Sequence, residues 1–227
     1  MAEYVVKQLS PEDLEKIQPG DILLFGVYPK EENGEPLPIE WEVIGKEDGK
    51  FFLLSVYGLD AMPFDSRDMV IISDMDIIFS DEKITWADSE LRAWLNGDFW
   101  RAAFLPEERR LIAPNKRSDE QEDRVSLLSY GEAKKYIEKH RGHHKSAELT
   151  PLADAKIRAE HLTQIKFCWR WDRGWWLSSM ASKDMAACVV YDWQLESIKD
   201  NYCTDYQGVR PAIWLDPNGN YSADDEA

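Results

Sequence analysis

Residues 39–56 read IEWEVIGKEDGKFFLLSV, and this stretch decides the fold class. Residues 39–44 alternate apolar and acidic side chains, which is the period of a half-buried β-strand. The turn-forming residues Glu47, Asp48 and Gly49 follow, and residues 51–56 return as an apolar partner strand. The stretch therefore predicts a β-hairpin near the start of the chain.

Upstream of this hairpin the sequence predicts one helix and one further strand. Ser10 can cap a short helix, Pro11 suits its first position, and Asp13 can close a capping box. Residues 21–28 are mostly apolar and predict a strand, which a polar loop over residues 29–38 joins to the hairpin. Two apolar runs within residues 65–81 are open to interpretation as strands or as an inserted flap.

The middle of the chain predicts four helices. Thr85 and Asp88 are spaced as a capping box, and Asn96-Gly97 is typical of a helix C-terminus. Further helices are expected from Pro106 to residue 112, after a Ser129 cap, and from Thr150-Pro151 to about residue 161.

The last third returns to β structure, with strands expected over residues 174–179, 186–191, 194–198 and 209–215. Strands, then helices, then strands predict an α+β fold with a mostly antiparallel sheet in which the first and last parts meet. The expected organisation is an N-terminal helical segment over residues 1–19, a single α+β domain over 20–216, and a polar tail over 217–227.

Charge excludes several classes of partner. The formal net charge is -16, whereas nucleic-acid binding requires cationic side chains that neutralise phosphates. Anionic membrane surfaces are disfavoured in the same way, and no apolar run approaches the roughly 20 residues of a membrane span.

The N-terminal residues do not resemble a signal peptide, and three widely spaced cysteines suit reduced thiols. A cytoplasmic protein is therefore expected.

No catalytic or metal-binding constellation is evident in the sequence. The four histidines, His140, His143, His144 and His161, lack the short ligand pairs typical of zinc sites, so a solvated helix end is expected for the first three. Cys188 lies in an apolar run and is expected to be buried, and Cys203 is expected to be exposed. Gly-x-Ser-x-Gly elbows and phosphate-binding loops are absent from the sequence. We therefore expect no cofactor, and an enzyme is the less favoured interpretation.

Five motifs together resemble a bacterial family described only as a domain of unknown function. Its pattern is roughly G-D-I-x-x-F-G-x-Y-P, P-I-E-W-x-V-L, T-W-x-x-S-x-L-R-x-W-L-N, W-W-L-R-S-P and G-V-R-P-A-L-W-L. The chain matches these around residues 20–29, 38–43, 85–96, 175–178 and 208–215. The match spans most of the chain.

That resemblance implies a fold. The W-W-L strand and the G-V-R-P motif look like the core of C-type-lectin-like folds, which include formylglycine-generating-enzyme-like domains. Those enzymes hold copper with a cysteine pair, whose spacing Cys188 and Cys203 do not reproduce. Where relatives have Arg-Ser-Pro after W-W-L, this chain has Ser178, Ser179 and Met180, so the arginine is missing here. If that arginine serves a ligand in relatives, this chain has lost or changed the site.

An aromatic cluster is the strongest candidate for binding. Tryptophans interleaved with charged residues over 169–176 suit sugars, quaternary amines or peptides.

Arg210 lies in an apolar run before Pro211, so its guanidinium needs a partner, either as a structural tie or in anion recognition. The candidate ligand-binding residues are Trp171, Tyr191, Trp193, Asp205 and Arg210.

The expected function is a C-type-lectin-like recognition domain that binds a small molecule, a glycan or a protein partner. Two alternatives stay open: an enzyme of unknown reaction on the same fold, and a structural or assembly subunit. The partner is an unknown small molecule or protein, and the sequence leaves the oligomeric state undetermined.

Overall fold

The computed structural model describes residues 3–6, 10–67, 69–71, 77–79, 83–116, 122–138, 148–163, 174–182, 185–192 and 195–223. The strands of this part of the chain are β1 (Glu3–Val5), β2 (Ile22–Pro29), β3 (Pro36–Glu47), β4 (Lys50–Ser55), β5 (Asp60–Met62), β6 (Met69–Ile71), β7 (Ile77–Phe79), β8 (Ile112–Ala113), β9 (Asn115–Lys116), β10 (Glu122–Asp123), β11 (Gly174–Met180), β12 (Met185–Asp192), β13 (Leu195–Tyr202), β14 (Gln207–Val209) and β15 (Ala212–Leu215).

The helices are short, apart from the last one, and two of them continue into a π-helical turn. They are α1 (Pro11–Lys16), α2 (Glu90–Trp94) with its π-turn Leu95–Phe99, α3 (Trp100–Ala103), α4 (Pro106–Arg109), α5 (Tyr130–Ala133) with its π-turn Lys134–Glu138, and α6 (Pro151–Thr163). None of the helices in the described ranges is long and apolar enough to cross a membrane.

Two mixed sheets of six and five strands carry the fold. The first has the order β1-β2-β3-β4-β15-β8 and the second the order β13-β12-β11-β14-β5. Within the described strands of these two sheets, β1–β2 and β11–β14 pair in parallel and the other neighbours are antiparallel. The predicted α+β class with mostly antiparallel sheets is confirmed.

The first and last parts of the chain meet in the first sheet. Strand β15 pairs with β4 in a register that places Ala212 opposite Leu54 and Leu215 opposite Phe51. The expectation that the closing strands fold back onto the opening hairpin is therefore confirmed. Strand β1 also joins this sheet, so the first 19 residues hold a strand as well as the expected helix.

Local capping chemistry sets several helix starts as expected. The Ser10 side chain accepts the backbone N–H of Asp13, whose carboxylate accepts the Ser10 N–H, which completes the predicted capping box. Ser129 and Glu132 form the same arrangement at the start of α5. Each pair satisfies backbone N–H groups that the first helical turn leaves without intrahelical partners.

The helix around residues 85–103 differs from the prediction. Thr85 Oγ1 donates a hydrogen bond to Asp88 at 2.7 Å, yet the helix cap is Ser89, whose side chain accepts the N–H of Arg92. Asn96-Gly97 does not end the helix, because the chain passes through the π-turn and continues as α3. The helix expected from Pro106 to residue 112 begins as predicted but is shorter: α4 ends at Arg109, and Ile112 belongs to β8.

The predicted strand over residues 209–215 is divided between the two sheets. Strand β14 ends at Val209 in the second sheet and β15 begins at Ala212 in the first. Between them lie Arg210 and Pro211, and the Pro211 carbonyl accepts the N–H of Ser55 at 2.9 Å. Arg210 and Pro211 therefore form the crossing between the two sheets.

The core lies on both faces of β3, so the expected half-buried strand is wrong. Trp41 and Val43 face the largest cluster, while Ile44 faces a second cluster on the opposite side. Trp176 is fully buried, and Trp214 is half-buried and stacks on Phe52 with ring centroids 4.6 Å apart. Large rings from both sheets thus contribute to the clusters on the two sides of β3.

Candidate functional site

A cavity of about 380 Å³ lies at the outer edge of β5, which is the edge strand of the second sheet. Four separate parts of the chain line it. They are β5 itself (Asp60–Met62), one face of α6 (Lys156, Ala159 and Glu160), and two separate rings (Trp94 and Tyr206). The cavity is called the Asp60 pocket below.

The start of α6 is fixed directly to the residues before β5. Thr150 Oγ1 donates to the Leu59 carbonyl at 3.0 Å, and the Thr150 N–H donates to the Gly58 carbonyl at 2.9 Å. Ala153 and Ile157 of α6 then pack with Ala61 of β5 in a small apolar cluster. Because Lys156 and Glu160 lie on the same helix, these contacts also set where both charged side chains reach the pocket.

Asp60 is the electrostatic anchor of the pocket. Its buried carboxylate accepts three hydrogen bonds, from Tyr28 Oη at 2.7 Å, from Lys156 Nζ at 2.6 Å and from the Ala61 N–H at 2.7 Å. A buried carboxylate is tolerated when hydrogen bonds of this kind replace its hydration. Asp60 thus fixes the position of the Lys156 ammonium, while the Lys156 side chain as a whole remains 44% exposed.

Tyr206 supplies a hydroxyl group that stays protonated. Burial raises the pKa of the Tyr206 phenol above its ordinary value, and the negative charges of Glu160 and Asp60 raise it further. The phenol therefore acts as a hydrogen-bond donor at neutral pH. Glu160 adds a second carboxylate to the lining, so the pocket holds both signs of charge.

The Trp94 ring gives the pocket an aromatic wall. It is half-buried, and its centroid lies 5.3 Å from that of Phe99. At the other side of the pocket the Trp176 indole N–H donates to the Met62 carbonyl at 2.9 Å, which ties β11 to the end of β5. Phe99 thus supports the Trp94 ring, and Trp176 supports the end of β5.

The motif segment that contains Trp94 is built around the buried Asp123. Trp86 Nε1 donates to Asp123 Oδ2 at 2.7 Å, and Arg92 Nε donates to Asp123 Oδ1 at 2.6 Å. Asn96 continues the same contact, since its Oδ1 accepts the Arg124 N–H at 2.8 Å and its Nδ2 donates to the Val125 carbonyl at 2.9 Å. Most motif positions here are therefore structural, and Trp94 is the one in this segment that lines the pocket.

A second buried polar cluster surrounds Arg210. The side chain is fully buried, its Nε donates to the Ser55 carbonyl at 2.7 Å, and its guanidinium lies 5.1 Å from the centroid of the Trp175 ring. Burial raises the pKa of Glu42 to about 7, and the positive charge of Arg210 acts in the opposite direction. Arg210 is not among the residues that line the Asp60 pocket.

The residues that the sequence predicts for ligand binding are not those that line the Asp60 pocket. Trp171 and Trp193 lie outside the described residues, and Tyr191 is described only as part of the backbone of β12. Asp205 is half-buried in the turn after β13, where its N–H donates to the Tyr202 carbonyl at 2.9 Å, and it directly precedes Tyr206 of the pocket. Ligand binding by these residues and by Arg210 stays a prediction.

The cysteines and histidines offer no alternative centre in the described ranges. Cys188 is buried as expected, whereas Cys203 is also buried and the prediction of an exposed thiol is wrong. Cys168, His140, His143 and His144 lie outside the described residues. Groups of three or more His, Cys, Asp or Glu placed to hold a metal ion do not occur among the residues that the structure describes.

Sequence reasoning missed the residues that do converge at the pocket. Lys156 and Glu160 carry a weak signal, because charged residues four apart on a helix share a face. Asp60 is an isolated acid after an apolar pair, and Tyr206 follows a polar turn, so neither has a local pattern that identifies it. Their proximity depends on α6 docking against β5.

Searches of curated proteins and of solved structures found no match to the chain. A scan against family models found one match, to the family described as "Domain of unknown function (DUF6273)", over residues 48–217. The matched region begins in the β3–β4 turn, ends just after β15, and contains all of the residues that line the Asp60 pocket. The chain therefore belongs to the DUF6273 family of domains of unknown function.

Proposed function

We propose that the chain is a C-type-lectin-like recognition domain that binds a small polar ligand in the Asp60 pocket. The observation that carries the proposal is the mixed lining of the cavity. An ammonium fixed by a buried carboxylate, a second carboxylate, a phenol and an indole ring surround one space of about 380 Å³. Ligand sites combine apolar or aromatic walls with a few placed polar groups in this way.

The positions of the two closing motifs support the C-type-lectin-like part of the proposal. Strand β11, which carries Trp175 and Trp176, is a direct neighbour of β14 in the second sheet. The chain then crosses at Arg210-Pro211 to β15, which lies between β4 and β8 in the first sheet. The W-W-L and G-V-R-P motifs thus form the junction of the two sheets, as expected of motifs that form a core.

The hydrogen bonding of Asp60 favours binding over catalysis. A general base needs a carboxylate oxygen that can take a proton from a substrate. The Asp60 oxygens already accept three hydrogen bonds from the protein, and Lys156 is one of the donors. This arrangement is suited to holding a cation in a fixed position, which is a property of recognition sites.

A thermal-shift screen of the full chain against sugars, amino acids, amines, carboxylates and nucleosides tests the proposal. A ligand of the pocket raises Tm in a concentration-dependent way, because it binds the folded state alone. Tyr206→Phe and Lys156→Met should weaken that shift, since each removes one donor from the lining. Arg158→Met is the matched control, because Arg158 lies on the same helix, pairs with Asp154 and does not line the pocket.

Two results would contradict the proposal. In the first, none of the compounds changes Tm at millimolar concentration. In the second, a compound does bind, but its Kd is the same in the wild-type chain, Tyr206→Phe and Lys156→Met.

A further inference from the structure

Two opposite charges stand one helical turn apart on the wall of the Asp60 pocket. Lys156 and Glu160 are four residues apart on α6, which corresponds to about 6 Å along the helix axis. Both side chains line the cavity. The ammonium of Lys156 is held by Asp60 at 2.6 Å, so its position is set by a buried group rather than by the solvent-exposed helix surface.

This pairing discriminates between classes of ligand by charge. A simple anion would be attracted by Lys156 and repelled by Glu160 and Asp60, and a simple cation would be attracted by Glu160 and repelled by Lys156. A ligand that carries both charges at short separation finds a complementary group for each. The cavity of about 380 Å³ is near the small end of ligand pockets, which range from roughly 300 to 1,000 Å³, so the ligand is small.

We propose that the pocket recognises a free α-amino acid through both of its charged groups. The carboxylate binds the Lys156 ammonium and the Tyr206 hydroxyl, the ammonium binds the Glu160 carboxylate, and the side chain lies against Trp94 and Met62. This inference rests on the proposed function of the pocket and names its ligand class. An aromatic wall and a methionine suit an apolar ligand side chain.

Calorimetric titration of the full chain with free amino acids and their blocked derivatives tests this inference. The probes are apolar L-α-amino acids, their N-acetyl forms, which lack the ammonium, and their amides, which lack the carboxylate. Each block should weaken binding at least 10-fold, because a charge-assisted hydrogen bond between the ligand and the lining is lost.

Two variants assign each ligand charge to its residue. Glu160→Gln should weaken binding of the free amino acid about 10-fold and should not weaken binding of the N-acetyl form, which lacks the ammonium. Lys156→Met should weaken binding of the free amino acid and should not weaken binding of its amide, which lacks the carboxylate. Tyr206→Phe, which removes a single oxygen atom, provides a second test of carboxylate binding if Lys156→Met fails to fold. Arg158→Met should bind every probe as the wild-type chain does.

The outcomes separate this inference from the proposed function. If neutral sugars or simple amines bind in a way that depends on Tyr206 and Glu160, and free amino acids do not, the amino-acid inference is wrong and the recognition pocket stands. If blocked and free amino acids bind equally well, the inference is also wrong. If no compound of any class binds, both proposals fall.

Discussion

The hydroxyl group of Tyr28 lies 2.7 Å from Oδ2 of Asp60 and joins the two sheets of the domain. Tyr28 belongs to β2 of the first sheet and Asp60 to β5 of the second. Burial and the negative charge of Asp60 raise the pKa of Tyr28, so its hydroxyl remains a donor throughout the neutral range. One hydrogen bond thus links the packing of the sheets to the anchor of the pocket.

Tyr28→Phe should lower the free energy of unfolding by about 2 kcal/mol, the usual value for a hydrogen bond to a charged group. Urea denaturation of the two chains measures the difference. Tyr130→Phe is the control, because Tyr130 is exposed and should change stability by less than about 0.5 kcal/mol. An equal effect of the two substitutions would show that the bond between the sheets contributes nothing.

Glu42→Gln should remove part of the pH dependence of stability. The pKa of Glu42 is raised from an ordinary 4.5 to about 7, so between these values the folded chain binds a proton that the unfolded chain releases. The contribution of Glu42 to stability is therefore greatest below pH 4.5, falls as the pH rises to about 7, and is constant above.

The measurement is the difference in unfolding free energy between the wild-type chain and Glu42→Gln from pH 4.5 to 8. The wild-type chain should lose about 1–2 kcal/mol relative to the variant over this range, which is less than the full shift implies because solvent screens part of it. Glu47→Gln, at the exposed end of the same strand, is the control substitution with the same change of charge. A parallel pH profile for Glu42→Gln and the wild-type chain would refute the assignment.

Gly26→Ala and Gly131→Ala should change stability in opposite directions. Gly26 has a φ of 67°, and an added Cβ would lie 2.7 Å from the Ala103 carbonyl oxygen and the Phe104 ring. The left-handed backbone and the overlap together should cost about 3 kcal/mol. Gly131 lies in α5 with open space around it, so alanine should stabilise the chain by up to about 1 kcal/mol. Thermal unfolding of both variants checks the pair. Unchanged stability of Gly26→Ala would contradict the steric argument, and a loss of stability in Gly131→Ala would contradict the expectation for an open helical position.

Asn96→Ala should destabilise the chain by about 2 kcal/mol. The substitution removes the acceptor of the Arg124 and Val125 N–H groups and the donor to the Val125 carbonyl. Partly buried backbone groups left without partners account for the cost. Asn218→Ala is the control at an exposed position, and chemical denaturation of both variants is the measurement. A similar effect of the two substitutions would show that Asn96 does not support this segment.

Arg210→Met should lower the free energy of unfolding by about 3 kcal/mol, the range seen when one partner of a buried charged pair is removed. The loss includes the hydrogen bond to Ser55 and the contact with Trp175. Arg158→Met, at an exposed ion pair, should remain within about 0.5 kcal/mol of the wild-type chain. A chain that keeps its stability after Arg210→Met and loses ligand binding would make Arg210 a binding residue instead of a structural one.

Short-range chemistry explains which elements could be predicted from the sequence. The β3–β4 hairpin follows from its turn, where Asp48 and Gly49 both have positive φ, as a tight hairpin turn requires. The Ser10 and Ser129 caps follow from side chains three residues away. The prediction that Asn96-Gly97 ends the helix is wrong because the Asn96 side chain makes a tertiary contact with residues 124–125. The helix continues through a π-turn instead.

The division of residues 209–215 between two sheets and the position of the pocket required tertiary information. An apolar run such as this one does not reveal which sheet each of its residues joins. Asp60, Trp94, Lys156 and Tyr206 come from four separate parts of the chain, and their meeting depends on how α6 and α2 dock beside β5. The prediction of binding around Trp171 rested on the density of tryptophans in the sequence there. The residues that line the Asp60 pocket have no comparable pattern in the sequence around them.

The pairing of β15 with β4 has a consequence for how the chain acquires its structure. The two strands are roughly 160 residues apart, so the loop that must close before they meet is long and its entropic cost delays the contact. Until residues 212–215 leave the ribosome, the apolar edge of β4 has no neighbour on that side. During that time the edge of β4 is open to pairing with other chains, and completion of the first sheet is expected to be a late step of folding.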